Sequence, residues 1–190
     1  MNLPNKLTMF RIVLVPFFVM FLLISGIPYS CLWALIVFIL ASITDFLDGY
    51  LARKNNMVTD FGKFADPLAD KILVISAFCC FIQMGLIGAV PVIIVLFREF
   101  AVTSVRLIAA TKGKVVAANM WGKAKTVSQM IAIIATLTLQ AVLQFIGSNS
   151  GLSFVFNIIT NTVVWISVVL TIISGIVYLK DNVDLYKNAK

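Results

Sequence analysis

The sequence predicts an all-α integral membrane protein: six transmembrane helices forming one domain over residues 1–190. Three observations carry this prediction. First, 61% of the 190 residues are hydrophobic, against roughly 45–50% in a soluble domain. Second, the apolar residues fall into long runs. One helix needs about 20 residues to cross a bilayer, so the length accommodates six crossings and leaves little for a soluble domain. Third, every charged residue lies at the N-terminus, within 45–71, within 98–125, or from 180 onward. The turns Ile24–Cys31, Met84–Pro91 and Phe145–Leu152 contain none. With six crossings all four charged regions share one side. The positive-inside tendency makes that side the cytoplasm, with both termini on it.

The elements follow in order. Residues 1–8 are short and polar, with Asn5 or Thr8 available to cap a helix. The first span is expected from about Met9 to Ser25. A signal peptide competes for this stretch, but Ser25-Gly-Ile-Pro is a poor small-residue cleavage site. The second span runs from near Tyr29 to Arg53, followed by a short loop from Lys54 to Thr59. The third covers about Asp60 to Met84. Pro67 should disturb its first turns; the alternative start puts Asp66 at the cap and Pro67 at the first helical position. The fourth covers Val90 to Thr111, and a basic loop runs from Lys112 to Met120. The fifth covers Trp121 to Phe145 and the sixth Leu152 to Lys180, with a polar tail to Lys190.

The net charge of +7 could point to nucleic acid. Basic cytoplasmic loops of a polytopic membrane protein explain it more simply, so no nucleic-acid partner is expected. Cys31, Cys79 and Cys80 lie in apolar segments and match no metal or redox spacing. There is no histidine. Acid–base chemistry therefore falls to a carboxylate, Lys, Tyr or Cys.

Five of the eight acidic residues fall between Asp45 and Lys71. Asp45 and Asp48 are spaced i,i+3; Asp66 and Asp70 are spaced i,i+4. On a helix each pair projects from one face. Carboxylates at the edge of apolar spans are costly unless compensated. If the two helices pack together, the four converge, and their oxygens suit a hard divalent cation such as Mg²⁺ or Mn²⁺. Four carboxylates are enough to hold two ions, as used for displacement at phosphorus. Gly49 and Gly62 leave room for a backbone or ligand to approach. The plainer alternative is a set of ion pairs with Arg53, Lys54, Lys63 and Lys71.

Asp45-x-x-Asp48-Gly49-x-x-Ala52-Arg53, eight residues, then Gly62-x-x-x-Asp66-x-x-x-Asp70 resembles the complete signature of the CDP-alcohol phosphotransferases. The resemblance implies a six-helix membrane fold, commonly a homodimer, that displaces CMP from a CDP-linked donor with an alcohol acceptor. It implies that Asp45, Asp48 and Asp66 are metal ligands. Asp70 would be the base for the acceptor hydroxyl, touching the second metal as well. Gly49, Ala52, Arg53 and Gly62 would border the cytidine diphosphate, with Arg53 on a phosphate.

Pro4-Asn5-x-x-Thr8-x-x-Arg11, Arg98-Glu99 and Gly122-Lys123-x-Lys125-Thr126 resemble bacterial members that pass a phosphatidyl group from CDP-diacylglycerol to sn-glycerol 3-phosphate. That implies a multi-pass protein of the bacterial cell membrane, among membrane lipid, with its site facing the cytoplasm. An anionic acceptor also agrees with the basic residues. Arg98 lies deep in the fourth span, Arg106 nearer its cytoplasmic end, and Lys123 and Lys125 open the fifth. An intramembrane Arg is expensive and faces a cavity or a partner. The candidate acceptor contacts are thus Arg98, Arg106, Lys123, Lys125, Thr8 and Arg11. Simpler roles stand beside them: an ion pair for Arg98, anchoring for Lys123 and Lys125, a cap and a snorkelling anchor for Thr8 and Arg11. Glu99 is expected to be a structural partner, and Asp181 and Asp184 solvated tail residues. Asn119, Gln129, Gln144, Asn161 and the three Trp have no role beyond interfacial anchoring and interhelical hydrogen bonds. Inositol phosphate, serine or phosphatidylglycerol remain alternative acceptors. A cation-binding transporter is the alternative of a different class.

Overall fold

Six α-helices account for nearly all the described residues: α1 (Leu3–Leu23), α2 (Ser30–Lys54), α3 (Asp60–Gln83), α4 (Ala89–Thr111), α5 (Met120–Ile146) and α6 (Ser150–Asp181). The structure, a computed structural model, describes residues 3–54, 60–111, 120–147 and 150–183, without the side chains of 3–4, 46–54, 60–67, 70 and 111. No strand occurs among them. α1, α5 and α6 are long and apolar enough to cross a membrane. The apolar stretches Ser30–Asp45 of α2 and Lys71–Gln83 of α3 are shorter. α4 has the length, at 23 residues, but carries Arg98, Glu99 and Arg106 within it.

α1 begins at Leu3, six residues before the predicted Met9. The reason lies in its buried stripe. Asn5, Thr8, Arg11, Val15, Phe18 and Leu22 are all buried and recur every three or four residues, the repeat of one helix face. The polar start is therefore the polar end of a single packed face. Pro4 falls in the first turn, where a missing N–H costs nothing. α3 is helical from Asp60 onward, including position 67, so the alternative start at Asp66 is not adopted. The predicted loop residues 55–59 and 112–119, with Asn119, lie outside the described residues, as does Asp184.

α1 packs on α2 and α3, α2 on α5, α5 on α6, and α6 on α4, with a lighter contact from α4 back to α3. The core between them contains Phe18, Phe38, Phe78 and Phe81, with the Phe18 and Phe38 ring centroids 6.0 Å apart. Small residues at crossings, among them Ala34, Ala41, Ala77, Ala132 and Ser167, are almost fully buried; they let backbones approach closely. Outward-facing positions such as Ile93, Phe97, Phe100 and Leu107 on α4 are large, apolar and exposed. Such a surface suits lipid and would be a liability in water.

The turns away from the charged ends are held by backbone geometry. Gly85 has φ +71°. Its N–H donates to Ile82 O, and that of Leu86 to Phe81 O, both at 2.9 Å, which closes α3 with a Schellman motif. Two polar side chains without a predicted role tie these ends. Gln144 accepts from the Cys31 N–H at 3.1 Å and donates to Ser30 Oγ at 3.0 Å, so α5 caps the start of α2. Asn161 on α6 donates to Leu86 O at 3.1 Å, satisfying a carbonyl in the α3–α4 turn.

Candidate functional site

Two polar clusters lie toward the charged ends of the helices. The first gathers around the acidic signature. Asp45, Asp48, Gly49, Ala52 and Arg53 occupy the last turns of α2; Gly62, Asp66 and Asp70 occupy the first turns of α3. Of these, the side chain of Asp45 is described. The others fall outside the described side chains, so their convergence is not part of the observed geometry. Arg11 reaches across from α1, with its Nη1 2.7 Å from Asp45 Oδ1. Its side chain is fully buried, while that of Asp45 is 43% exposed. One end of the pair is thus locked in the protein and the other faces outward. Thr8, one turn earlier on the same face, is fully buried too. Thr8 and Arg11 therefore stand with the acidic signature. The donor chemistry of this end fits a hard divalent cation: carboxylate oxygens, with no histidine and no cysteine between positions 45 and 71.

The second cluster joins four helices around Glu99 of α4. Glu99 Oε1 accepts from Arg98 Nη1 at 3.2 Å and from the ammonium of Lys125 on α5. Glu99 Oε2 lies 4.0 Å from Lys71 Nζ on α3. Each outer cation is held a second time. Arg98 Nη2 donates to Ser174 Oγ of α6 at 2.7 Å. Lys71 donates to Thr103 Oγ1 at 2.6 Å, and Thr103 in turn donates to the Glu99 carbonyl. Glu99 and Lys125 are both buried. One turn beyond Lys125, Gln129 donates to Thr171 Oγ1 at 3.2 Å, pinning α5 to α6 just below Ser174. α6 makes room for this through Gly175: a Cβ there would sit 3.1 Å from Arg98 Cγ.

The structure thus brings two predicted acceptor residues, Arg98 and Lys125, onto one carboxylate. It places the other two basic candidates of α4 and α5 differently. Arg106 is exposed, its Nε donating to Tyr178 Oη at 3.2 Å and its guanidinium lying over the Tyr178 ring. Lys123 is exposed on the first turn of α5. Sequence reasoning missed Lys71, Thr103, Ser174, Thr171 and Tyr178 as members of these networks. For the α6 members the signal was weak: hydroxyl residues spaced three, four or seven positions apart along one buried face, namely Thr160, Ser167, Thr171, Ser174 and Tyr178. Lys71 links the clusters through the chain, since it follows Asp70 and consecutive Cα atoms are about 3.8 Å apart.

Comparison with known proteins adds to this geometry. A family model described as CDP-alcohol phosphatidyltransferase matches residues 1–173. A protein of Bacillus subtilis (strain 168) named CDP-diacylglycerol–glycerol-3-phosphate 3-phosphatidyltransferase is 43% identical, with 99% of this chain and 98% of that protein covered. A protein of the same name from Rickettsia prowazekii (strain Madrid E) is 38% identical over 94% of each chain. A probable phosphatidylglycerophosphate synthase of Mycobacterium tuberculosis is 42% identical over 70% of this chain and 64% of its own.

Proposed function

From the premise that this chain belongs to the CDP-alcohol phosphatidyltransferase family, we infer that it transfers the phosphatidyl group of CDP-diacylglycerol to sn-glycerol 3-phosphate. The products are phosphatidylglycerophosphate and CMP. The chain is a membrane-bound transferase of phospholipid synthesis. The observation that carries this reading is the 43% identity to the Bacillus subtilis protein over nearly the whole of both chains. The Glu99-centred cluster supports it, because a buried Lys and a mostly buried Arg from different helices suit a phosphate-bearing acceptor.

In this reading Asp45, Asp48, Asp66 and Asp70 would hold two Mg²⁺ or Mn²⁺ ions, which would supply positive charge against the donor diphosphate and the departing CMP. Arg11 orients Asp45, with Thr8 packed beneath it. Gly49, Ala52 and Gly62 line the nucleotide, and Arg53 contacts its diphosphate. A hydroxyl oxygen of the acceptor attacks the phosphorus that bears the diacylglycerol, and its proton passes to Asp70. The bond from that phosphorus to the oxygen shared with CMP breaks, and CMP leaves with the electron pair. Arg98 and Lys125 receive the acceptor phosphate; Arg106 and Lys123 guide it electrostatically from the exposed edge.

The same reading makes residues 1–190 a single catalytic domain with six crossings of the bacterial plasma membrane. Both termini and the site face the cytoplasm, and the chain pairs as a homodimer. The uncharged turns at one end of the bundle and the charges at the other support the orientation. The experiment is CMP release by purified protein given CDP-diacylglycerol and each acceptor in turn. Release with sn-glycerol 3-phosphate is expected. Release only with inositol phosphate, serine or phosphatidylglycerol would move the chain to another branch of the family. Metal binding with no CMP release from any acceptor would favour a cation-binding transporter.

A further inference from the structure

Among the described residues, Glu99 is shared by three cations that come from three helices: Lys71 of α3, Arg98 of α4 and Lys125 of α5. Like charges this close repel, and burial strengthens the repulsion by removing water. A carboxylate between them is what lets them stand together. The second contacts then fix directions, since Ser174 holds one end of the Arg98 guanidinium and Thr103 holds Lys71. Arg98 Nε is buried and has no hydrogen-bond partner among the described residues. A buried donor left open is costly, so this one is a place for a ligand oxygen. The cluster is therefore more than a closed ion pair.

We propose that Glu99 is a positioning residue for the acceptor. It touches no reacting atom, but sets Arg98, Lys125 and Lys71 as a three-pronged receptor for a phosphomonoester dianion. This rests on the reading that the acceptor is sn-glycerol 3-phosphate. Lys71 directly follows Asp70, so its Cα lies about 3.8 Å from that of the last signature residue. An acceptor whose phosphate is gripped there presents its hydroxyl toward the acidic signature.

The sign of the effect separates this role from a simpler one. Glu99→Gln removes a negative charge, so a carboxylate that merely dilutes the positive field would, when lost, leave the acceptor bound more tightly. A carboxylate that positions the cations would, when lost, leave it bound more weakly. For Glu99→Gln we expect the KM for sn-glycerol 3-phosphate to rise about tenfold, the KM for CDP-diacylglycerol to stay within about twofold, and kcat to fall by less than the acceptor KM rises. Competitive inhibition by inorganic phosphate should weaken in parallel. Because Glu99 acts through its partners, adding Glu99→Gln to Lys125→Met should raise the acceptor KM by much less than the product of the two single effects.

Wild-type protein is the control that separates the two claims. No CMP release by wild type with sn-glycerol 3-phosphate would overturn the functional reading itself. A functional wild type with an unchanged or lowered acceptor KM in Glu99→Gln would overturn the positioning role alone, as would fully multiplicative effects in the double variant. Should Glu99→Gln fail to fold, Glu99→Asp carries the test. It keeps the charge on a shorter stem, and its acceptor KM should lie between those of wild type and Lys125→Met; a value equal to wild type would count against the proposal.

Discussion

Replacing Ser174 with Ala removes one hydroxyl from the last third of α6 and tests how the basic cluster is aimed. The bond it deletes, Arg98 Nη2 to Ser174 Oγ, is 2.7 Å long, and Ser174 is fully buried. A hydrogen bond to a charged group contributes about 1.5–3 kcal/mol. Ala is a better helix former than Ser by about 0.5 kcal/mol, which offsets part of the loss. Glu99 still holds the other guanidinium nitrogen, so Arg98 keeps its counter-charge and loses direction. The net destabilisation should be about 1–2.5 kcal/mol. If half of that appears as lost acceptor affinity, the KM for sn-glycerol 3-phosphate rises about two- to eightfold. The assay is CMP release against acceptor concentration at saturating CDP-diacylglycerol, with thermal unfolding of the same detergent-purified sample alongside. Ser174→Thr retains a hydroxyl and should recover most of the affinity. Wild-type acceptor KM in Ser174→Ala would refute the claim that α6 aims Arg98.

Three other outcomes are expected. Asp70→Asn should abolish turnover while CDP-diacylglycerol binding is largely kept, because the amide cannot take the acceptor proton; wild-type turnover would remove Asp70 as the base. Chelation with EDTA should stop CMP release, and Mg²⁺ or Mn²⁺ added in excess should restore it; full activity after exhaustive chelation would count against the metal role of the acidic signature. Gln144→Leu should lower the midpoint of thermal unfolding by a few degrees, since losing a helix cap costs about 1 kcal/mol. Turnover per folded molecule should not change, as Gln144 lies at the other end of α5 from Lys125, and a large activity loss in folded protein would show that this end is coupled to the site.

The sequence was most informative where chemistry and periodicity coincide. Helix ends for α2, α3, α4 and α5 were legible within one or two residues because apolar runs stop at Gly, Pro or charged clusters. The acidic signature was legible because i,i+3 and i,i+4 spacing makes one face of a helix. The start of α1 was misread for a physical reason. Asn5 and Thr8 look like a polar leader when taken singly, yet with Arg11 they continue the stripe of Val15, Phe18 and Leu22. Glu99 was legible as a partner for Arg98, its neighbour. Its other contacts were not, because Lys71 and Lys125 are 28 and 26 residues away and Ser174 reaches Arg98 across 76. Pairing at such range follows from helix order in space, which local pattern does not encode. Gln144 and Asn161 illustrate the same point, since each satisfies a backbone group at the end of a different helix.

What is joined to the phosphatidyl group can be followed directly. The direct measurement supplies radiolabelled sn-glycerol 3-phosphate and CDP-diacylglycerol to the purified protein in detergent micelles with Mg²⁺ or Mn²⁺, then follows label into the lipid phase. Label is expected in a lipid that still carries the glycerol phosphate, formed in one-to-one proportion with CMP. CMP released without label in lipid, or labelled lipid formed when CDP-diacylglycerol is omitted, would contradict this transfer.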